Sequence, residues 1–214
     1  YFDVPQNYRD DIGGNYYVNE LSELIRDLGE LRGKPITHEE LRQSIAVYNE
    51  NRRLVRQLYT FRAQRPWQAP AAEVYLVLRA GLVLPVEQHS AMVRDYLAAA
   101  EREERPRRDN CRIVLTGVFC EQPPLNLIKS LELAGCYVVD DDLLIGLRWI
   151  TDDVPATGDP VWALAESFVE RSAASPVQHD ERKTKEAYLM EMIRARKADA
   201  AILTAAKFCE PGLD

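Results

Sequence analysis

The second half of the chain carries short β-rich apolar runs too brief and too branched for a helical period. They are Arg112-Ile113-Val114-Leu115-Thr116-Gly117, Cys136-Tyr137-Val138-Val139-Asp140 and Ala200-Ala201-Ile202-Leu203-Thr204. Each reads as a buried strand. A helix from Pro124 through Ala134, stopped by Gly135, separates the first two. Helices over 160–171 and 182–196 separate the second from the third. Strands alternating with helices specify βαβ units and a parallel sheet. Right-handed crossovers then bring the carboxyl ends of all strands to one edge, where open α/β sheets hold their ligands.

The first half, to Arg108, has a different texture. Leu21, Leu24, Ile25, Leu28 and Leu31 recur at helical spacing, and Gly33 with Pro35 ends that helix. Thr37-His38-Glu39-Glu40 is a capping box that opens a long helix through Leu41, Ile45, Tyr48, Val55 and Tyr59. Pro66 and Pro70 bracket Trp67 in a break, and shorter helices are expected over 71–78 and 86–102. The expected organisation is a mainly helical segment over 1–108, from the end of a first lobe and its connector. A partial α/β lobe over 109–214 follows. The chain starts without methionine at Tyr1-Phe2-Asp3 and stops soon after its last strand. The expectation is an internal piece of a larger polypeptide.

Charge and composition remove several classes. A net charge of -7 argues against a general nucleic-acid binder, which would present a basic surface. Arginines such as those in Glu101-Arg102-Glu103-Glu104-Arg105 are interleaved with acids, as at a solvated helix end. No run approaches the ~18 apolar residues of a membrane span. His38, His89 and His179 lack the spacing of a metallohydrolase, and no Walker, G-x-G-x-x-G or G-x-S-x-G motif occurs. The cysteines Cys111, Cys120, Cys136 and Cys209 form no C-x-x-C pair, against a zinc knuckle. A reducing cytoplasm is the expected compartment.

Strand geometry sorts those thiols. Cys111 and Cys136 begin their strands on the far edge, whereas Cys120 and Cys209 lie just past strand carboxyl ends. Cys209, near Lys207 and Gly212, reads either as a buried structural thiol or as a ligand. Cys120 precedes Glu121-Gln122-Pro123-Pro124 and a helix whose first amides could hold an anion; the plain alternative is a strand–helix turn. Asp140-Asp141-Asp142 could suggest a cation site. The reading adopted is a strand-to-helix turn whose acid caps the next helix, since three consecutive side chains cannot converge on one ion.

Several stretches resemble the benzoyl-CoA reductase / 2-hydroxyacyl-CoA dehydratase family. They are Tyr1-Phe2-Asp3-Val4-Pro5-Gln6-Asn7-Tyr8-Arg9-Asp10, Tyr48-Asn49-Glu50-Asn51-Arg52-Arg53-Leu54-Val55, Phe119-Cys120-Glu121-Gln122-Pro123-Pro124-Leu125-Asn126-Leu127-Ile128-Lys129-Ser130 and Gly135-Cys136-Tyr137-Val138-Val139-Asp140-Asp141-Asp142. Within the family the likeness is to the gamma (C) subunits of the ATP-dependent reductases. It covers essentially the whole chain.

The resemblance implies an α/β fold, with the helical segment followed by a flavodoxin-like, three-layer parallel sheet that is incomplete here. It implies reduction of the aromatic ring of benzoyl-CoA to a cyclic dienoyl-CoA in anaerobic aromatic degradation. The implied partners are a homologous beta-type subunit and iron–sulfur ATPase subunits that alone use ATP. It further implies a [4Fe–4S] cluster held by three cysteines, of which Cys209 matches the third. The other two belong upstream of Tyr1, so this piece is expected to be cluster-free and inactive alone. Cys120, Glu121, Gln122 and Lys207 fall in the site's vicinity without being carried over as ligands. Lys129, Lys207 and Arg148 are candidates for a CoA groove, with solvated surface as the plainer reading for each. Alternatives are a 2-hydroxyacyl-CoA dehydratase subunit or a non-catalytic scaffold subunit.

Overall fold

The computed structural model describes residues 2–117, 122–143, 145–146, 148, 150–173 and 184–205. After a π-helical turn at Asp10–Gly14 come α1 (Asn15–Arg32), α2 (His38–Gln64), α3 (Ala71–Ala80) and α4 (Val86–Arg102). The α/β part follows as β1 (Cys111–Thr116), α5 (Leu125–Leu133), β2 (Cys136–Asp141), α6 (Pro160–Arg171), α7 (Lys185–Arg196) and β3 (Ala200–Leu203). All three strands are parallel, in the order β2-β1-β3. The expected α/β class holds, with the sheet an open, incomplete flavodoxin-like layer.

Local chemistry accounts for the long helices. Thr37 accepts from the Glu40 amide at 3.2 Å while Glu40 accepts from the Thr37 amide at 2.8 Å. This reciprocal pair satisfies two amides that the start of α2 would otherwise orphan. Gly33 closes α1 at φ 76°, a left-handed conformation that costs glycine little. Along α2 the buried positions Val55, Leu58, Tyr59 and Arg62 form one stripe facing the sheet.

The sheet is covered on both faces. On one face Leu58, Tyr75, Leu78 and Val93 of the helical half pack with Ile113, Leu115, Ile128 and Val138. On the other, Met192 and Ile193 of α7 pack with Val114 and Val139. Tyr8, Tyr17 and Phe168 make a separate aromatic cluster, with the Tyr8 and Phe168 rings edge to face at 5.6 Å.

The Tyr48-to-Val55 stretch is a structural clasp. Asn49 donates to the Val154 carbonyl and accepts from its amide, both at 2.8 Å. Asn51 donates to His89 Nδ1 at 2.9 Å, so the ring's Nε2 donates to the Val77 carbonyl at 3.0 Å. Burial pushes His89 down, consistent with this neutral tautomer. It is a satisfied core histidine.

Candidate functional site

The carboxyl edge of the sheet holds a buried ionic array. Between Ile113 and Val114 the β1–β2 register slips by one residue, pairing Ile113 with Val138 but Val114 with Asp140. This bulge on β2 re-aims the residues after it. Asp140 now shares the face of Val114 and α7, where Arg196 Nε donates to it at 2.5 Å. Asp141 shares the face of Leu115 and α2, where Arg62 Nη1 meets it at 2.7 Å and the Tyr59 hydroxyl donates at 2.9 Å. Unbulged pairing would have put Asp140 on the α2 face instead.

Asp142 turns toward the end of β1. Its carboxylate accepts from Thr116 Oγ1 at 2.7 Å and from the Gly117 amide at 3.2 Å. Arg148 Nη1 lies 3.1 Å away and also donates to the Asp142 carbonyl at 2.6 Å. Gly117 itself sits at φ 98°, and a Cβ there would come within 2.6 Å of the Thr204 carbonyl. The Thr204 amide donates to the Thr116 carbonyl at 2.8 Å. The ends of β1, β2 and β3 thus meet at one glycine.

All three aspartates are buried, as are Arg62 and Arg148. Burial raises Asp140 against the opposing pull of Arg62 and Arg196, and raises Asp142 against Arg148 and Thr116. Burial, then Asp141, pushes the Tyr59 phenol well up. Tyr188 is raised by burial and by Asp142 and Asp140. The array borders a cavity of about 280 Å³ walled by Tyr59, Arg56, Arg148, Tyr188 and Arg196. Its chemistry is that of matched buried charge with phenols held protonated.

Two expectations need correction. The Asp140-to-Asp142 run does not cap a helix: β2 continues through Asp141, and the next described helix, α6, is capped by Asp159. Arg148 is not solvated surface but a buried partner of Asp142. Lys129 is exposed, as the plainer reading had it. Cys120, Glu121, Lys207 and Cys209 lie outside the described residues. Gln122 is described, and both atoms of its side-chain amide are buried without a hydrogen-bond partner. Next to it, the Pro123 carbonyl accepts from the buried Tyr75 hydroxyl at 2.9 Å.

Sequence reasoning missed Arg62, Tyr59, Thr116 and Tyr188 as site residues. The available signal was an arginine on the apolar stripe of α2, seven residues after Val55, in a chain with a run of three acids. Among the described residues no group of three or more His, Cys, Asp or Glu side chains could hold a metal ion. Cys111 and Cys136 stand at the opposite, amino edge. The described part of the chain does not by itself build a cluster site. No helix among the described residues is long and apolar enough to cross a membrane.

An open parallel sheet with helices on both faces and a polar array at its carboxyl edge is the frame of an α/β ligand-binding subunit. The chain belongs to the 2-hydroxyglutaryl-CoA dehydratase D-component family, whose model matches residues 1–213. It is similar to the benzoyl-CoA reductase C-type polypeptide of Thauera aromatica, 53% identical over 214 residues, covering 100% of this chain and 55% of that protein. It is also 26% identical over 208 residues to the (R)-phenyllactyl-CoA dehydratase beta subunit of Clostridium sporogenes (97% of this chain, 54% of that protein). Against the lactoyl-CoA dehydratase beta subunit of Anaerotignum propionicum it is 28% identical over 211 residues (98% and 56%). The chain spans about half the length of these curated relatives.

Proposed function

We propose that this chain is part of the C-type (gamma) subunit of a dearomatising benzoyl-CoA reductase, an oxidoreductase of anaerobic aromatic degradation in the cytoplasm. The observation that carries this reading is the 53% identity, spread over the whole chain, to the C-type polypeptide of a benzoyl-CoA reductase. Identity to the two dehydratase subunits is half that, 26% and 28%, which favours ring reduction over dehydration. The proposed partners are a homologous beta-type subunit and iron–sulfur ATPase subunits, with ATP used by the latter.

In this reading Cys209 is one of three cysteine ligands of a [4Fe–4S] cluster. A cluster with three protein ligands leaves one iron open to an exogenous oxygen ligand, and its potential depends on a dry surround. The role proposed for the residues of this chain is positional. Gly117, clamped by Asp142 and Thr204, fixes where the segments after β1 and β3 depart, and those segments carry Cys120 and Cys209. Gln122, with a buried unpartnered amide, is the residue of the predicted vicinity best suited to meet a ligand's polar group.

The test is iron content and low-temperature EPR on the full-length subunit, purified without oxygen beside its partner. Loss of about one cluster's iron and of its reduced signal in Cys209→Ser supports the assignment. Unchanged iron and spectrum would make Cys209 structural and withdraw the cluster from this lobe. Product analysis separates the two chemistries: a cyclic dienoyl-CoA from benzoyl-CoA for the reductase, an enoyl-CoA from a 2-hydroxyacyl-CoA for the dehydratase.

A further inference from the structure

We propose that Cys111 and Cys136 form a vicinal dithiol that reacts as a unit with anionic low-molecular-weight disulfides of the glutathione type, closing to a bond across β1 and β2. Both cysteines are free thiols. They are direct register partners in adjacent parallel strands, and the Cys111 amide donates to the Gly135 carbonyl at 3.0 Å. Neighbouring strands lie about 4.8 Å apart, inside the ~4.4–6.8 Å Cα separation that a disulfide spans.

The side chains also share a face. Cys136 packs against the core that Val138 enters, and Cys111 alternates with Ile113 and Leu115, which enter the same core. Desolvation pushes the Cys111 thiol up, and the neighbouring charges of Asp199 and Cys136 add to this. The two sulfurs therefore lie within electrostatic reach of each other. Cys111 is exposed and Cys136 half-buried, which makes Cys111 the point of first attack.

A groove of about 530 Å³ runs beside Cys136, with Trp67, Leu133 and Tyr137 as apolar wall. Its carboxylates are already engaged: Glu73 with Arg105 at 2.9 Å and the Tyr96 hydroxyl at 3.0 Å, Glu132 with the Ala71 amide at 2.6 Å. Arg108 and Lys129 also line it, and neither makes an ion pair among the described residues. The groove thus presents uncompensated positive charge beside a thiol, which is why an anionic disulfide is the class it suits.

The chemistry balances. The Cys111 thiolate attacks one sulfur of R–S–S–R, breaking that bond and releasing R–S⁻, which takes a proton. The Cys136 thiolate then attacks the Cys111 sulfur and expels the second R–S⁻. The protein dithiol loses two electrons and two protons, and the small disulfide is reduced to two thiols. The new bond lies at the amino edge of the sheet, opposite Asp142 and Gly117, and encloses the segment that contains α5.

The test is peptide mapping by mass spectrometry after anaerobic incubation of the chain with oxidised glutathione and alkylation of the remaining thiols. The expected result is a cross-link between the Cys111 and Cys136 peptides with no glutathione retained. Cys136→Ser, or Cys136→Ala if the serine variant folds poorly, should hold glutathione on Cys111 as a lasting adduct. Arg108→Glu with Lys129→Glu should slow the reaction about tenfold at low salt but leave the rate with neutral 2-hydroxyethyl disulfide unchanged. Lasting glutathione on Cys111 of the unmodified chain, or a cross-link from Cys111 to Cys120 or Cys209, would overturn the dithiol. Equal slowing with both disulfides would overturn the role of the groove. Neither outcome depends on the proposed reductase activity.

Discussion

Arg62 is 1% exposed, and its guanidinium lies 4.5 Å over the Tyr59 ring while pairing with Asp141. A buried pair of this kind contributes little against an apolar replacement, but breaking it leaves one charge stranded. Arg62→Leu is therefore expected to cost about 3–5 kcal/mol in urea denaturation. Adding Asp141→Leu should recover part of that loss, because the Tyr59 hydroxyl still loses its acceptor. A double variant no better than the single one would show that Asp141 is compensated elsewhere. Gly117→Ala meets two costs at once, φ of 98° and a 2.6 Å approach to the Thr204 carbonyl, and should lose about 1–3 kcal/mol or more. Asp142 predicts a pH signature. Burial raises it above its ordinary value of 3.8, so the folded chain binds that proton more tightly than the unfolded one. Its contribution is full below 3.8 and is lost as pH rises through the raised value. Asp142→Asn cannot titrate, so it should gain on the parent as pH climbs through that window. A constant offset between their stability curves would mean that Asp142 ionises at an ordinary pH.

At the scale of elements, the capping box of α2 gives a prediction of the opposite sign. Arg32, then Thr37, hold the exposed Glu40 carboxyl down at about 2, against an ordinary 4.5. Its contribution is present above 4.5 and lost as pH falls through about 2. The stability gap between the parent and Glu40→Gln should narrow over that range, and thermal melts across it check this. Thr37→Ala, which removes the acceptor for the Glu40 amide, should cost about 1 kcal/mol. The elements legible in the sequence are those with local signals of this kind. α2 begins at its capping box, α1 ends at Gly33, and α4 spans the expected 86–102. The carboxyl end of β2 had no such signal. An acid run looks like a turn when read alone. What keeps Asp140 and Asp141 in the strand is a register slip against β1 and arginines from α2 and α7. Those partners lie 79 and 56 positions away in the pairs Arg62–Asp141 and Arg196–Asp140, beyond any local pattern. Arg148 escaped for a related reason: its burial depends on a fold-back onto Asp142 that periodicity does not encode.

At the scale of the molecule, the change of texture near position 108 is not matched by a break in packing. One core contains Leu58, Tyr75, Leu78 and Val93 from before that position and Ile113, Leu115, Ile128 and Val138 from after it. The helices α2 to α4 therefore do for one face of the sheet what α7 does for the other, and the sheet cannot exclude water without them. Leu58, fully buried in that core, should cost about 2–5 kcal/mol when cut to alanine. The loss should appear equally in the helical signal and in tryptophan fluorescence, because both halves report one transition. Residues 109–214 expressed alone should show no cooperative unfolding and should bind a hydrophobic dye, since Ile113, Leu115 and Val138 would lose their cover. A cooperative transition in that fragment, or separate midpoints for the two probes in the intact chain, would mean that the α/β half carries a sufficient core of its own. The ionic array makes the same demand from the polar side. Without α2, Asp141 would keep neither Arg62 nor Tyr59, so the fragment would have to strand or rehydrate a carboxylate at the edge where the three strands converge on Gly117.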